Sequence, residues 1–137
     1  MINIVIVDDH MMVRQGLRLL LEAEQDFRVA GEAGDGSEGL RLTEALKPDI
    51  LITDLRMEGM DGIEVTRKAR LCSPQTRIVV LTMHSEPALA RQALIAGASG
   101  YVVKDSAIEE LIEAVRSAAS GQRYLSPAVS GLSLTSL

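Results

Sequence analysis

Four apolar runs in this sequence each end in polar residues that suit phosphate and metal chemistry. The residues that follow the runs are Asp8 and Asp9, Asp54, Thr82, and Lys104. If the runs are neighbouring parallel strands, their carboxyl ends meet at one edge of a sheet, where open α/β sheets bind ligands. Three carboxylates, a hydroxyl and an ammonium group would then share one crevice. The sequence therefore predicts an aspartate that is phosphorylated with the help of a divalent cation.

The residue types divide the chemistry between them. A carboxylate attacks a phosphorylated donor poorly because both are anionic, and a hard cation removes much of that repulsion. Mg²⁺ prefers oxygen ligands and keeps several waters, so Asp9 and Asp54 are predicted as direct ligands and Asp8 as a ligand through water. Asp54 stands alone at its strand end and is the predicted nucleophile. Lys104 and Thr82 would stabilise the transferring phosphoryl group by charge and by hydrogen bonding.

Each of these residues also has an ordinary structural interpretation when it is taken alone. The acidic pair could form a turn or a helix cap, Asp54 could cap a loop, Thr82 could bond to the backbone, and Lys104 could simply be solvated. The functional interpretation depends on the conjunction, because four separate strand ends would each have to carry a suitable residue by chance.

The two histidines and the one cysteine receive structural interpretations. His10 and His84 lack the spacing of metal ligands, so loop or cap roles are predicted for both. Cys72 is predicted to pack at the end of a helix. Because a single cysteine cannot form an intrachain disulfide, a reducing compartment is favoured.

Composition excludes several classes of protein. The 137 residues suit one domain with a real core, and the net charge of -5 argues against nucleic acid as a direct partner of this segment. The first residues lack the basic region of a signal peptide, and no apolar run approaches the ~20 residues of a membrane span. A cytoplasmic protein without a membrane partner is therefore predicted.

Strand and helix patterns alternate along the chain. Strands are predicted at Ile2–Val7, Phe27–Ala33, Asp49–Thr53, Arg77–Leu81 and Gly100–Val103. Helices are predicted at His10–Ala23, from a turn at Gly34–Ser37 to about Lys47, and at Gly62–Leu71, Pro87–Ala96 and Ile108–Ala119. The alternation predicts one α/β domain with a parallel sheet and right-handed crossovers.

Three details of this pattern can be tested. The second strand is interrupted by Gly31 and is placed at a sheet edge. Either Asp35 or Ser37 is expected to cap the second helix. The inward stripe of the first helix is predicted to be Val13, Gly16, Leu17, Leu20 and Leu21.

These motifs resemble a known family. The segments Ile4–His10, Pro48–Gly62 and Val79–Asp105, within residues 1–120, are similar to the receiver domain of two-component response regulators, most of all the NarL/FixJ subfamily. The resemblance implies a flavodoxin-like, doubly wound five-stranded parallel sheet of order 2-1-3-4-5 with five helices.

The resemblance also implies a role for each site residue. Asp54 matches the phosphoacceptor. Mg²⁺ would be held by Asp8, Asp9 and Asp54, with the backbone carbonyl of Arg56 as a further ligand. The phosphoryl group would be bound by Thr82 and Lys104, and the switch pair would be Thr82 and Tyr101.

By the same resemblance, the protein is a phosphorylation-dependent switch and not an enzyme beyond its own phosphoryl transfer and dephosphorylation. Its partners would be a sensor histidine kinase and a second copy in a phosphorylation-dependent homodimer. The face Pro87–Ala119 would change on activation. Residues 1–120 would be the receiver, and 121–137, rich in serine, would begin a linker. DNA would be contacted only through a helix-turn-helix output domain absent from this chain.

Two other classes remain open from the sequence. A pseudo-receiver would bind partners without taking phosphate, although the intact acidic set and Lys104 argue against it. A phosphohydrolase of the haloacid dehalogenase type would carry a second Asp two residues after its nucleophile. That position is Arg56 after Asp54 and His10 after Asp8.

Overall fold

Six parallel strands form one sheet in the computed structural model, which describes residues 1–104, 108–127 and 129. In chain order they are β1 (Ile2–Val7), β2 (Phe27–Ala33), β3 (Ile50–Thr53), β4 (Arg77–Thr82), β5 (Gly100–Val103) and β6 (Tyr124–Leu125). Their order across the sheet is β2-β1-β3-β4-β5-β6. The predicted parallel α/β fold, the order 2-1-3-4-5 and the edge position of β2 are confirmed, whereas the predicted count of five strands is one short.

Five helices connect the strands, as predicted. They are α1 (Met11–Glu22), α2 (Gly36–Leu46), α3 (Gly62–Cys72), α4 (Pro87–Ala96) and α5 (Ile108–Ala119). Asp35 caps α2, because its carboxylate accepts a hydrogen bond from the Glu38 amide at 2.8 Å. None of the helices in the described part of the chain is long and apolar enough to cross a membrane.

The strands are buried on both faces, which explains their nearly continuous apolar sequences. On one face, Ile4 and Ile6 of β1 pack in a cluster with Leu21 of α1 and Leu111 of α5. On the other face, Val5 and its neighbours pack against α2 and α3, and a third cluster joins β4 and β5 to α4. Helices therefore cover both faces of the sheet.

One residue of the predicted inward stripe of α1 lies outside the core. Leu17 and Leu21 are buried, but Leu20 is 46% exposed. It lines an open groove between α1 and α5, where its side chain borders solvent instead of packing in the core. The prediction that Leu20 points inward is wrong for this reason.

The sheet continues past the predicted domain boundary. Tyr124 and Leu125 of β6 pair with Gly100 and Tyr101 of β5, and the Ser126 amide donates to the Tyr101 carbonyl at 2.8 Å. Part of the segment predicted as a linker is thus a strand of the sheet. Residue 128 and residues 130–137 of that segment lie outside the described residues, as does Asp105 at the end of the third motif.

Candidate functional site

The register of β1 and β3 brings two of the predicted carboxylates together. Val7 is paired with Thr53, and the Asp54 amide donates to the Val7 carbonyl at 3.0 Å. Asp8 and Asp54 therefore leave the ends of adjacent strands side by side. Both are buried, with exposures of 2% and 7%. Burying two like charges next to each other is unfavourable unless a cation lies between them.

Among the described residues, the ammonium group of Lys104 is the cation that lies between the two carboxylates. Its Nζ lies 3.1 Å from Asp8 Oδ2 and 3.2 Å from Asp54 Oδ2. Burial alone would lower the pKa of Lys104, but hydrogen bonding to Asp8 and the charges of Asp54 and Asp8 outweigh it, so the pKa of Lys104 is raised. The lysine is held in its charged form against both carboxylates.

Asp54 is oriented by its own loop as well as by the lysine. Its Oδ1 accepts a hydrogen bond from the Leu55 amide at 2.7 Å. The loop is closed where the Gly62 amide donates to the Leu55 carbonyl at 2.8 Å. A side chain at Gly62 would overlap the Asp54 carbonyl, so only glycine permits α3 to begin this close to the loop. The sequence therefore fixes both the position and the orientation of the Asp54 carboxylate.

The donor set fits a hard divalent cation. Donor atoms of Asp8, Asp9, His10 and Asp54 all lie within 4.8 Å of one another. Asp9 also borders an open cavity of about 450 Å³ at the mouth of the site, whose other walls are Arg56, Met57, Glu58, Gly59 and Asp61. Three carboxylates with an open approach suit an ion that keeps several waters. The structure places Arg56 at this mouth, and the role of its carbonyl stays a prediction.

Sequence reasoning missed two residues of the site. His10 caps no amide of α1 with its side chain; instead its Nδ1 lies 3.0 Å from both Asp8 Oδ1 and Asp9 Oδ1. Arg14, which is not part of the predicted inward stripe of α1, donates from Nη1 to the Asp8 carbonyl at 2.6 Å. Both residues could have been found from their positions in the sequence. His10 directly follows the acidic pair, and Arg14 lies one helical turn after His10.

The two predicted switch residues, Thr82 and Tyr101, both form hydrogen bonds with the backbone of His84. The Thr82 hydroxyl accepts a hydrogen bond from the His84 amide at 3.2 Å, and the Tyr101 hydroxyl donates to the His84 carbonyl at 2.7 Å. Both side chains are buried. The ring of Tyr101 is fully buried, and this burial raises the pKa of its phenol to about 12, so the phenol is neutral at physiological pH.

Comparison with known proteins identifies the family. The sequence pattern of the response regulator receiver domain matches residues 4–116 of this chain. The chain belongs to the response regulator receiver domain family. The receiver is 43% identical over 137 residues to the transcriptional regulatory protein LiaR of Bacillus subtilis (strain 168), an alignment that covers 100% of this chain and 65% of LiaR. It is 38% identical to the response regulator GacA of Pseudomonas aeruginosa, over 94% of this chain and 60% of GacA.

Solved structures give the same result for the fold. A two-component response regulator of the LuxR family from Aurantimonas sp. SI85-9A1 superposes with a TM-score of 0.90 at 42% identity, covering 93% of this receiver and 91% of that chain. The receiver domain of the putative response regulator NarL from Mycobacterium tuberculosis gives 0.84 at 39% identity, covering 88% and 98%. The predicted resemblance to receivers of NarL-type regulators is confirmed.

Proposed function

We propose that this receiver accepts a phosphoryl group on Asp54 from a sensor histidine kinase and acts as a phosphorylation-dependent switch. The observation that carries the proposal is the buried Asp54 carboxylate at a strand end, held between the Leu55 amide and Lys104. A carboxylate that is oriented in this way and lies beside an open acidic cavity suits a nucleophile better than a structural residue of the core.

The transfer would proceed by in-line displacement. An Asp54 oxygen forms a bond to phosphorus while the bond from phosphorus to the donor histidine nitrogen breaks, and that nitrogen keeps the electron pair. Mg²⁺ held by Asp8, Asp9 and Asp54, with the Arg56 carbonyl, would neutralise part of the negative charge on the phosphoryl oxygens. Lys104 already lies within hydrogen-bond reach of Asp54 and supplies a second positive charge to the product.

The shared contacts of His84 support the switch. A phosphoryl group on Asp54 offers new acceptor oxygens at the edge where Thr82 ends β4. If the Thr82 hydroxyl turns to donate to them, its bond to the His84 amide breaks and the loop is free to move. Because Tyr101 donates to the carbonyl of the same residue, movement of His84 also changes the anchoring of Tyr101. One charge would thereby bias a two-state element.

The kinase needs a surface beside Asp54, and the groove between α1 and α5 supplies one. Its volume is about 320 Å³, and its lining is mainly apolar, with Met12, Gly16 and Leu20 from α1, Ile108 from α5, and also Lys104. Met12 is 83% exposed and Leu19, on the same helix, is 76% exposed. We propose that a helix of the kinase packs here, because the groove is apolar and is lined in part by Lys104, the lysine that contacts Asp54.

The output of the whole protein is proposed from its relatives. The chain spans 65% and 60% of the lengths of LiaR and GacA, so those proteins contain further sequence. One solved relative is described as two RcsB dimers bound to two parallel DNAs, at 32% identity and a TM-score of 0.85. We propose that this receiver controls a DNA-binding output domain and forms a homodimer through α4, β5 and α5. Its net charge of -5 favours DNA contacts outside the receiver. The single cysteine favours action in the cytoplasm.

The test is the intact mass of the protein after incubation with acetyl phosphate, with and without Mg²⁺. We expect one added phosphoryl group that requires both Mg²⁺ and Asp54, so the variant Asp54→Asn should gain none. Asp49→Asn is the matched control, because Asp49 directly precedes β3 at the end opposite to Asp54 and its carboxylate accepts a hydrogen bond from the Asn3 amide. It should gain phosphate as the wild type does.

Two results would replace the proposal with another function. No gain of mass in any variant would favour a pseudo-receiver that binds partners without phosphate. Steady release of phosphate from small phosphoesters, lost in Asp54→Asn, would favour a phosphohydrolase.

A further inference from the structure

A small cavity at the amino edge of the sheet is lined by arginines from three separate segments of the chain. Arg70 comes from α3, Arg77 begins β4, and Arg123 directly precedes β6. The volume of this arginine cavity is about 190 Å³. The other residues of its lining are uncharged, and they are Gly97, Ala98, Ser99, Gly121 and Gln122. None of the described residues around the cavity is acidic, so three positively charged residues border one small space.

The charges of these three arginines are not neutralised within the described part of the chain. Arg116, by contrast, forms ion pairs with two carboxylates. The backbone carbonyl of Asp49 accepts the Arg77 amide, but the Asp49 carboxylate accepts the Asn3 amide at 2.8 Å and forms no ion pair with Arg77. Like charges that share a site repel one another, and an anion bound between them would relieve this repulsion.

Arg70 is positioned by a close contact with a glycine. Gly97 ends α4 with a φ of 116°, and a Cβ atom at this position would lie 2.8 Å from Arg70 Cγ. The aliphatic part of Arg70 therefore passes directly over Gly97, where a larger residue would displace it. Its Nη1 donates to the Pro74 carbonyl at 2.9 Å, which holds the guanidinium group at the cavity. A guanidinium group has several N–H donors, so others remain available to a ligand.

We propose that the arginine cavity binds a single phosphate group, either as the free ion or as the monoester end of a small molecule. Guanidinium groups match phosphate oxygens in charge and in geometry, and they bind them through paired hydrogen bonds. The Ser99 hydroxyl and the Gln122 amide border the same cavity and add neutral donors. The inference does not depend on phosphorylation of Asp54, which lies at the opposite end of the sheet.

Size and charge favour a small anion over a nucleic acid. Pockets for drug-sized ligands begin at roughly 300 Å³, so a cavity of about 190 Å³ suits one small group. The net charge of the chain is -5, which disfavours the approach of a polyanion such as DNA. A bound phosphate would join α3, the start of β4 and the segment before β6.

The experiment is an NMR titration of the ¹⁵N-labelled, metal-free protein with inorganic phosphate, with chloride added to keep the ionic strength constant. We expect saturable shifts of the backbone amides around the arginine cavity, at Gly97, Ser99, Gly121 and Gln122. All four should give the same dissociation constant, because one ligand causes them.

Variants of the two exposed arginines test the assignment. Arg77→Gln and Arg123→Gln should each weaken phosphate binding by ~10-fold or more, since a hydrogen bond to a charged group contributes at least about this factor. Both side chains are exposed and form no ion pair among the described residues, so both variants should fold. Arg28→Gln is the matched control, because it removes the same charge from an exposed position on β2, at the other side of the sheet. It should change the affinity by less than about twofold, because distant exposed charges are screened.

Two further ligands distinguish the sources of the phosphate group. Tighter binding of glycerol 3-phosphate than of inorganic phosphate would assign the site to the end of a small molecule, and the reverse order would assign it to the free ion. The proposal is overturned if the wild type shows no saturable shift, if the shifts are confined to Lys104 and the Asp54 loop, or if Arg28→Gln weakens binding as much as the other two variants. Binding of a short DNA duplex that is tighter than that of either phosphate and requires Arg77 and Arg123 would replace it with a nucleic-acid contact.

Discussion

Thr76 directly precedes β4 and Thr82 is its last residue; both are fully buried, yet their hydroxyl groups make different hydrogen bonds. At the amino end of the strand, Thr76 Oγ1 donates to the Pro48 carbonyl at 2.7 Å and lies 2.6 Å from Ser73 Oγ. At the carboxyl end, Thr82 Oγ1 accepts one bond, from the His84 amide at 3.2 Å. The Thr76 hydroxyl therefore joins the turn at Ser73 to the chain at Pro48. The Thr82 hydroxyl only accepts a hydrogen bond, and among the described residues its proton has no acceptor.

The same contrast applies to the charged residues. At the carboxyl edge, the buried carboxylates of Asp8 and Asp54 share one ammonium group. At the amino edge, Arg116 pairs with Asp26 and Glu24 near the surface, where water already screens the charges. At the amino edge these charges are paired close to solvent. At the carboxyl edge an excess of buried negative charge remains, which a bound cation or a reaction of the carboxylate can relieve.

The largest effect is expected from removing the shared cation. Lys104→Gln removes the ammonium group that Asp8 and Asp54 share, so the free energy of unfolding of the metal-free protein should fall by roughly 3–5 kcal/mol. Urea denaturation measures it. Saturating Mg²⁺ should restore part of the loss, because the ion replaces the missing charge. A variant as stable as the wild type without metal would show that the carboxyl edge carries no such excess.

The two threonines test the comparison directly. Thr76→Val breaks a buried pair of hydrogen bonds and leaves the Pro48 carbonyl without its donor, which should cost about 2 kcal/mol of unfolding free energy. Thr82→Val loses one long bond next to a half-buried loop and should cost less than about 1 kcal/mol. Thr82→Ala should accept phosphate yet signal poorly. Equal losses of stability at both positions would remove the distinction between the edges.

Tyr101 lies in the core, and its hydroxyl reaches the loop at the carboxyl edge of the sheet. Removing this hydroxyl is expected to lower stability less than Lys104→Gln or Thr76→Val. Tyr101→Phe removes the bond to the His84 carbonyl and should cost about 1 kcal/mol at neutral pH. Because the pKa of Tyr101 is raised from 10 to about 12, the folded protein keeps a proton that the unfolded chain loses. Stability present below pH 10 should therefore fall between pH 10 and 12.

Denaturation at a series of alkaline pH values checks this sign. The fall should be shallower in Tyr101→Phe, although part of it remains, because the pKa of Tyr124 is also raised to about 12. A fall of the same steepness in both proteins would mean that Tyr101 does not contribute.

The smallest effect is expected at the amino edge. Arg116 donates to Asp26 at 2.6 Å and to Glu24 at 2.8 Å, and its guanidinium lies 4.6 Å from the centre of the Phe27 ring. The side chain is 43% exposed, so Arg116→Gln should lower stability only slightly, and less so in about 1 M salt. A loss larger than that of Lys104→Gln would reverse the ranking of the two edges.

Sequence patterns predicted the elements well because buried parallel strands are apolar on both faces. The strands and helices lie within a few residues of the expected bounds, and Asp35 caps α2. The order of the strands came from family resemblance, since local patterns do not say which strands are neighbours. β6 was missed because two paired residues are too few to show a period in a segment rich in serine.

The site was predicted in part. Asp8, Asp54 and Lys104 meet as expected because each follows the end of a parallel strand. His10 was given a loop or cap role because it lacks ligand spacing to the other histidine, whereas its ring nitrogen lies 3.0 Å from the carboxylates of Asp8 and Asp9. Leu20 was placed in the core because helical periodicity gives the direction of a side chain but does not show whether a neighbouring element covers it. The phosphoryl-binding and switch roles of Thr82, Lys104 and Tyr101 stay predictions.

The pairing of β6 has a mechanical consequence. The Tyr124 amide donates to the Ser99 carbonyl and the Ser126 amide to the Tyr101 carbonyl, so β6 is fastened along the strand that holds Tyr101. Tension on the chain after β6 would load these bonds in shear, directly alongside Tyr101. Because β6 is only two residues long, only a few backbone bonds join it to β5, and any force that separated the two strands would act first beside Tyr101.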